Sequence, residues 1–123
     1  MPTDFELWLR AQFADTGAFT LFIVLVRIAE DEIEALKSSF TQMIGDDMDW
    51  AAMCALLDGA RTPWDGVGFF VGLAHDGGPM ADDEARTQLK EIEAEVMADP
   101  LTFNRGRFFD RLGRHLQVEA LSS

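Results

Sequence analysis

Cysteine, histidine and tyrosine are scarce in this chain, which has one cysteine, two histidines and no tyrosine. A single cysteine, Cys54, excludes an internal disulfide bond, so a reducing cytoplasm is the expected location. Trp50, Met53 and Leu57 place Cys54 on the apolar side of a short predicted helix. We therefore expect a buried structural thiol, because no cation close in sequence would stabilise a thiolate.

Basic residues are also few. Ten Lys and Arg stand against 22 Asp and Glu, which gives a formal net charge of −12. Such a chain repels phosphate groups, so its composition argues against general nucleic-acid binding. The exception is residues 105–114, which hold four of the ten basic residues.

Long apolar runs are missing as well. The longest, residues 18–26, is much shorter than the ~20 residues that a membrane-spanning helix needs. The first six residues (MPTDFE) carry acids where a secretory signal peptide has cations. With 48% hydrophobic residues, the chain can form a core. We expect one globular cytoplasmic domain, residues 1–123, that does not insert into a membrane.

Helical spacing and capping patterns predict about five helices. Thr3 and Glu6 form a capping box that begins the first of them, residues 3–15. An acidic first turn suits the helix dipole in two others, residues 30–44 and 82–97. A short helix follows a cap at Asp46 or Asp47 and ends before Gly59, and Asn104 caps a last helix reaching about residue 120.

Two segments predict strands. Residues 67–74 (VGFFVGLA) are one, with Gly68 and Gly72 on the same face, where another group is expected to approach the backbone closely. Residues 18–28 (AFTLFIVLVRI) are rich in β-branched and aromatic residues without alternation, which favours a strand buried on both faces. The expected fold is a helix-rich α+β domain with a short two- or three-stranded sheet. A third strand near residues 101–103 or a second chain would complete that sheet. The alternative is an all-α bundle in which residues 18–28 are helical.

The inventory of catalytic groups is thin. No serine lies in the strand-turn-helix setting of a nucleophile elbow, and residues 66–72 miss the spacing of a dinucleotide-binding glycine loop. The acidic runs at residues 30–34 and 46–49 lack the pattern of a calcium loop, and no second histidine stands at zinc-ligand spacing. The sequence therefore favours a non-catalytic role, with no cofactor and no metal ion.

One small-molecule site is a candidate nevertheless. The turn at Trp64 and the loop after the second strand flank an apolar run. We consider an enzyme or ligand-binding pocket lined by Trp64 and Phe69 or Phe70, with His75 or Asp76 at its mouth.

The arginine-rich stretch is the better candidate for an interaction surface. On the predicted last helix, Arg107, Arg111 and Arg114 fall within about 60° of one another, with His115 beside them. Phe108 and Leu112 belong to a broad apolar face on the other side. Because the acidic body opposes nucleic acid and membranes, we expect these arginines to pair with carboxylates of the same chain or of a second copy.

Two interpretations of function follow. The first is a non-catalytic protein–protein interaction module, most simply a homodimer, in which Arg107, Phe108, Arg111, Leu112, Arg114 and His115 contribute to the contact. The second is an inhibitor or immunity-type protein whose acidic face, built from residues 30–34 and 46–49, binds a basic partner such as a nuclease.

Overall fold

Helices and strands are interspersed along the chain in the computed structural model, which describes residues 1–30 and 32–118. Their order is α1 (Asp4–Thr16), β1 (Phe19–Ile28), β2 (Ile33–Met43), α2 (Trp50–Asp58), β3 (Gly66–Gly72), α3 (Asp82–Ala98), a 3₁₀ helix (Pro100–Arg105), β4 (Arg107–Asp110) and β5 (His115–Leu116).

The strands form one antiparallel sheet with β1 near its middle. The order across the sheet is β2-β1-β3-β4-β5, and the first eight of the ten residues of β1 are buried. The prediction of a strand over residues 18–28 that is buried on both faces is therefore confirmed, and the all-α alternative is wrong. The prediction of a short two- or three-stranded sheet is also wrong, because five strands pair, although the chain remains α+β.

Helices cover both faces of the sheet, so the protein has two cores. Side chains alternate along a strand. The odd-numbered residues of β1 pack with α1 and α2: Phe19, Leu21, Ile23 and Leu25. The even-numbered ones pack with α3 and the 3₁₀ helix: Phe22, Val24 and Val26. We call these sides of the sheet the α1/α2 face and the α3 face.

The helix predicted over residues 30–44 is wrong over its described part, where Ile33–Met43 form the strand β2; residue 31 lies outside the described residues. The pairing with β1 shifts by one residue between Leu25 and Val26, which leaves Leu36 as an extra residue in a β-bulge. The bulge lets Ile33 and Phe40 both pack against the core of the α3 face, although their odd spacing would separate them in a regular strand. A spacing of seven residues also fits one side of a helix, which is why the sequence pattern was misleading.

The predicted C-terminal helix is wrong over its described part. Residues 104–118 instead contain the end of the 3₁₀ helix and strands β4 and β5; residues 119 and 120 of that prediction lie outside the described residues. Gly113 turns the chain with a φ of 78°, a left-handed conformation that glycine adopts without strain. Phe108 and Phe109 are buried in different cores, on opposite faces of β4. The suggested strand at residues 101–103 is also wrong, since these residues belong to the 3₁₀ helix.

The other predicted helices are present. Thr3 and Glu6 form the capping box of α1, and α2 is capped by Asp49, not by Asp46 or Asp47. The expected close approach to the backbone of β3 is confirmed. The Phe103 ring lies where a side chain at Gly68 would begin, and Phe22 and Met80 occupy the same space at Gly72.

Candidate functional site

The residues of the predicted pocket do not come together. Trp64 precedes β3 and is 2% exposed, whereas His75 and Asp76 are exposed in the turn that follows the other end of β3. The seven residues of β3 separate the two places by about 20 Å at ~3.3 Å per residue. Phe69 and Phe70, between them, belong to the cores of opposite faces. The geometry therefore gives no support to a single pocket that these five residues share.

The predicted arginine stripe does not exist either, because its helix does not. Arg107 begins β4, and Arg111 and Leu112 lie in the exposed turn beyond its end. Arg114 and His115 follow, with the His115 ring edge-on to Phe109 at 6.0 Å between ring centres. The interface role of these residues stays a prediction, without the helical geometry that motivated it.

Three of the four arginines in this stretch pair with carboxylates of the same chain. Arg105 lies 3.6 Å from Glu95 of α3. Arg111 contacts Asp58 at 3.1 Å, and Arg114 contacts Asp110 at 2.7 Å. Around the fourth, Arg107, no carboxylate of the described residues lies within ion-pair distance. These exposed pairs contribute little free energy each. They do engage arginines that the sequence analysis considered for contacts with a partner.

Hydrogen bonds lower the pKa of two of these carboxylates. The Trp64 indole N–H donates to Asp58 at 3.0 Å, and the Arg111 guanidinium adds a second bond, so the pKa of Asp58 lies below its ordinary value. Burial would raise the pKa of Asp110, but bonds from the Arg114 amide and guanidinium and from the Leu112 amide outweigh it. Both groups are therefore structural anions that hold the β4–β5 turn.

Other chemical signals are weak in the part of the chain that the structure describes. No group of three histidine, cysteine or carboxylate side chains within residues 1–30 and 32–118 is placed to hold a metal ion. None of the described helices has the length and apolar character that crossing a membrane requires. Cys54 is half-buried, and burial raises the pKa of its thiol.

The most open feature of the fold is the outer edge of β2. This strand is 11 residues long and pairs on one side with β1, while its other side faces no strand of the described residues. At the opposite edge of the sheet, β5 has two residues. A long edge strand presents a row of backbone N–H and C=O groups that can pair with a further strand.

Hydrogen bonds at the hairpin tell which backbone groups point outward. The Ala29 amide donates to Glu32 across the hairpin, whereas the Val26 carbonyl accepts from Asp65 beside β3. The backbone N–H and C=O groups of successive residues point to opposite sides of a strand. The odd-numbered residues of β1 therefore bond to β2, and the even-numbered ones bond to β3. The partners of the odd-numbered residues after the bulge are Lys37, Ser39, Thr41 and Met43. The residues between these, Ser38, Phe40 and Gln42, turn their N–H and C=O groups to the open side.

Devices that protect an edge strand are confined to the first half of β2. The bulge at Leu36 and the charged Glu34 and Lys37 lie there, and such features discourage pairing with another chain. Residues 38–44 (SSFTQMI) contain no charged residue, proline or glycine. We call residues 38–42 the open edge.

Side chains hold the open edge firmly on the α3 face. The Ser38 hydroxyl donates to Glu93 of α3 at 2.7 Å. Gln42 accepts from Thr20 at 2.6 Å and donates to the Met80 carbonyl at 3.2 Å. The backbone that a partner strand would contact is thus fixed before binding, which reduces the entropic cost of association.

On the α1/α2 face, a cleft of about 420 Å³ runs beside the same edge. Its floor is formed by Ile23 and Leu25 of β1, and its walls by β2 and the end of α2. Leu56 on the α2 wall is 48% exposed, and Ile44, just after β2, is 75% exposed. Exposed apolar side chains therefore flank the open edge.

Sequence reasoning missed this edge because it assigned residues 30–44 to a helix. A signal was present in the run Ser38-Ser39-Phe40-Thr41, which has poor helix formers and two residues that favour strands.

Comparison of the chain with protein-family models, curated proteins and solved structures finds no match.

Proposed function

We propose that this protein is a non-catalytic protein–protein interaction module that forms a homodimer by pairing the open edges of two copies. The observation that carries the proposal is the uncharged second half of β2, whose Ser38, Phe40 and Gln42 direct their backbone groups away from β1. Two such strands brought together antiparallel would join the two five-stranded sheets into one continuous sheet.

Charge favours a second copy over other partners at this surface. Each copy carries a net charge of −12, so two copies repel one another over most of their surfaces. Residues 38–42 carry no charge themselves, and the carboxylate that they contact, that of Glu93, is hydrogen-bonded to Ser38, so the repulsion is weaker here than on the acidic surfaces. A basic partner would instead be drawn to the acidic surfaces elsewhere. The single cysteine keeps a reducing cytoplasm as the proposed location.

Sedimentation over a range of micromolar concentrations tests the proposal, with Ser39→Glu as the disrupting variant. Ser39 is exposed in the single chain, so the substitution should leave folding intact while placing two added charges beside the contact. Ala11→Glu is the matched control, since it makes the same charge change at an exposed position of α1.

We expect the wild type and Ala11→Glu to form dimers with the same Kd. Ser39→Glu should raise the Kd by about tenfold or more, which corresponds to ~1.4 kcal/mol. A wild-type protein that sediments at its chain mass of 13.7 kDa at every concentration would contradict the proposal. So would a Ser39→Glu variant that dimerises as well as the control.

A second candidate function is that of an inhibitor or immunity-type protein that binds a basic partner. Asp46, Asp47 and Asp49 line a cleft of about 380 Å³ together with Glu6 and Arg10, and the three aspartates are exposed. Carboxylates in a concave surface attract and orient a basic protein partner. Capture of basic proteins at low ionic strength, lost as salt rises, would support this role. Failure to capture any at low salt would remove it.

A further inference from the structure

We infer that the two-fold axis of the homodimer passes beside Phe40, so that Phe40 of one copy lies opposite Phe40 of the second. This inference rests on the proposed homodimer and specifies its register. The register follows from the backbone N–H and C=O groups of the open edge that point away from β1. It predicts pairs of opposed residues that differ from those of other registers.

Hydrogen bonding selects this register. An antiparallel pair bonds only where outward-facing residues oppose one another, and here those residues are Ser38, Phe40 and Gln42. With the axis at Phe40, Phe40 pairs with itself and Ser38 pairs with Gln42 at both ends, so all three residues of each copy form bonds. An axis at Ser39 or Thr41 leaves one of the three without an outward-facing partner in the open edge.

Side chains agree with the same register. The Phe40 ring lies on the α3 face, 6.3 Å from the Phe22 ring, and aromatic pairs across neighbouring strands stabilise a sheet. At each end, the exposed Ile44 would lie across from Leu36 of the second copy, which pairs two apolar residues. Lys37 is the one charged residue between Leu36 and Ile44, and this register sets it opposite the uncharged Met43 of the second copy.

Cysteine cross-linking tests the register in a Cys54→Ala background. The Cα atoms of opposed, hydrogen-bonded residues lie about 5.5 Å apart and those of opposed, non-bonded residues about 4.5 Å apart, within the roughly 4.4–6.8 Å span of disulfides. Phe40→Cys should therefore form a covalent dimer on oxidation. Ser39 opposes Thr41 in this register, so the double variant Ser39→Cys/Thr41→Cys should also cross-link and leaves Phe40 in place.

The single variants Ser39→Cys and Thr41→Cys serve as controls. Each would place its cysteines about 8 Å apart across the axis, too far for a disulfide bond. Sedimentation of the reduced variants is measured in parallel, so that dimer formation and register are read separately.

Efficient cross-linking of Phe40→Cys and of the double variant, with little from either single variant, is the expected result. Dimers that cross-link through Ser39→Cys or Thr41→Cys alone would overturn the register and leave the homodimer proposal standing. Dimers that cross-link through none of these variants would place the contact elsewhere and overturn the open edge as the interface. Reduced variants and wild type that are monomeric throughout would overturn the homodimer and the register with it, and would assign the edge to another chain or to none.

Discussion

The guanidinium carbon of Arg111 lies 4.1 Å from the centre of the Trp64 ring. The same arginine and the Trp64 indole N–H both donate to one oxygen of Asp58. The Arg111 carbonyl also accepts a bond from the Trp50 indole at 2.8 Å. One residue of the β4–β5 turn thus connects the end of α2 with the segment before β3.

Replacement of Arg111 by Ala should therefore lower stability without changing assembly. Loss of the cation–π contact between the half-exposed Arg111 side chain and the buried Trp64 ring predicts a decrease of about 0.5–1 kcal/mol in the free energy of unfolding. Arg111→Lys should lose less, because the ammonium keeps the charge over the ring. Urea unfolding measures both, with Arg86→Ala on the exposed side of α3 as the control. Equal stability of Arg111→Ala and the control would contradict this role.

The hydrogen bonds of the Glu6 carboxylate predict how the stability of the protein depends on pH. This carboxylate accepts bonds from the Trp50 amide at 2.7 Å and from the Thr3 amide at 2.9 Å, which lower its pKa below the ordinary 4.5. A lowered pKa in the folded state means that the stabilisation is complete above the unfolded pKa and is lost as pH falls through the folded pKa. The pKa values of Asp58 and Asp110 are also lowered in the folded state, so these two groups likewise lose their stabilising effect as the pH falls.

Stability should accordingly fall as pH drops below about 4.5, and Glu6→Gln should make this fall shallower. At neutral pH, Glu6→Ala should cost about 1 kcal/mol, since it removes the Glu6 half of the α1 capping box. Thermal unfolding between pH 3 and pH 7, compared with Glu84→Gln at the exposed start of α3, measures the effect. A pH profile of Glu6→Gln identical to that of the wild type would show that the carboxylate contributes nothing.

Gly68 should tolerate no side chain. The Phe103 ring occupies the space that a Cβ atom at this position would need. Gly68→Ala is therefore expected to lower the free energy of unfolding by about 1–3 kcal/mol through overpacking. Gly68→Ala/Phe103→Leu should recover part of the loss, because a smaller side chain leaves room. No recovery in the double variant would mean that the loss has another cause.

Elements with one dominant local signal were predictable from the sequence. The capping box of α1 indicates a helix, and the apolar run of β1 indicates a buried strand. An acidic first turn was correct for α3 but misleading for the segment that contains β2. β2 was not predictable in the same way. Its apolar residues have a helix-like spacing in the sequence, and only the bulge at Leu36, which is set by pairing with β1, allows a strand with that spacing to bury them on one face. Local pattern and tertiary pairing disagree in that segment.

The candidate site depends on this same segment, which is why the sequence did not show it. An edge strand is defined by the absence of a neighbour, and strand order is a property of the whole sheet. The arginine-rich stretch was a clear signal in the sequence, yet Arg105, Arg111 and Arg114 form pairs within the chain. A count of charges could not distinguish pairs inside one chain from pairs between copies.

The most direct test of the homodimer is amide hydrogen exchange of β2 at increasing protein concentration, measured residue by residue by NMR. The amides of Ser39 and Thr41 bond to β1 and should be protected at every concentration. Those of Ser38, Phe40 and Gln42 point to the open side and should exchange quickly in dilute solution, then become protected as dimers form. Fast exchange of Phe40 and Gln42 that does not change up to the highest concentration, with Ser39 and Thr41 protected throughout, would contradict pairing through the open edge.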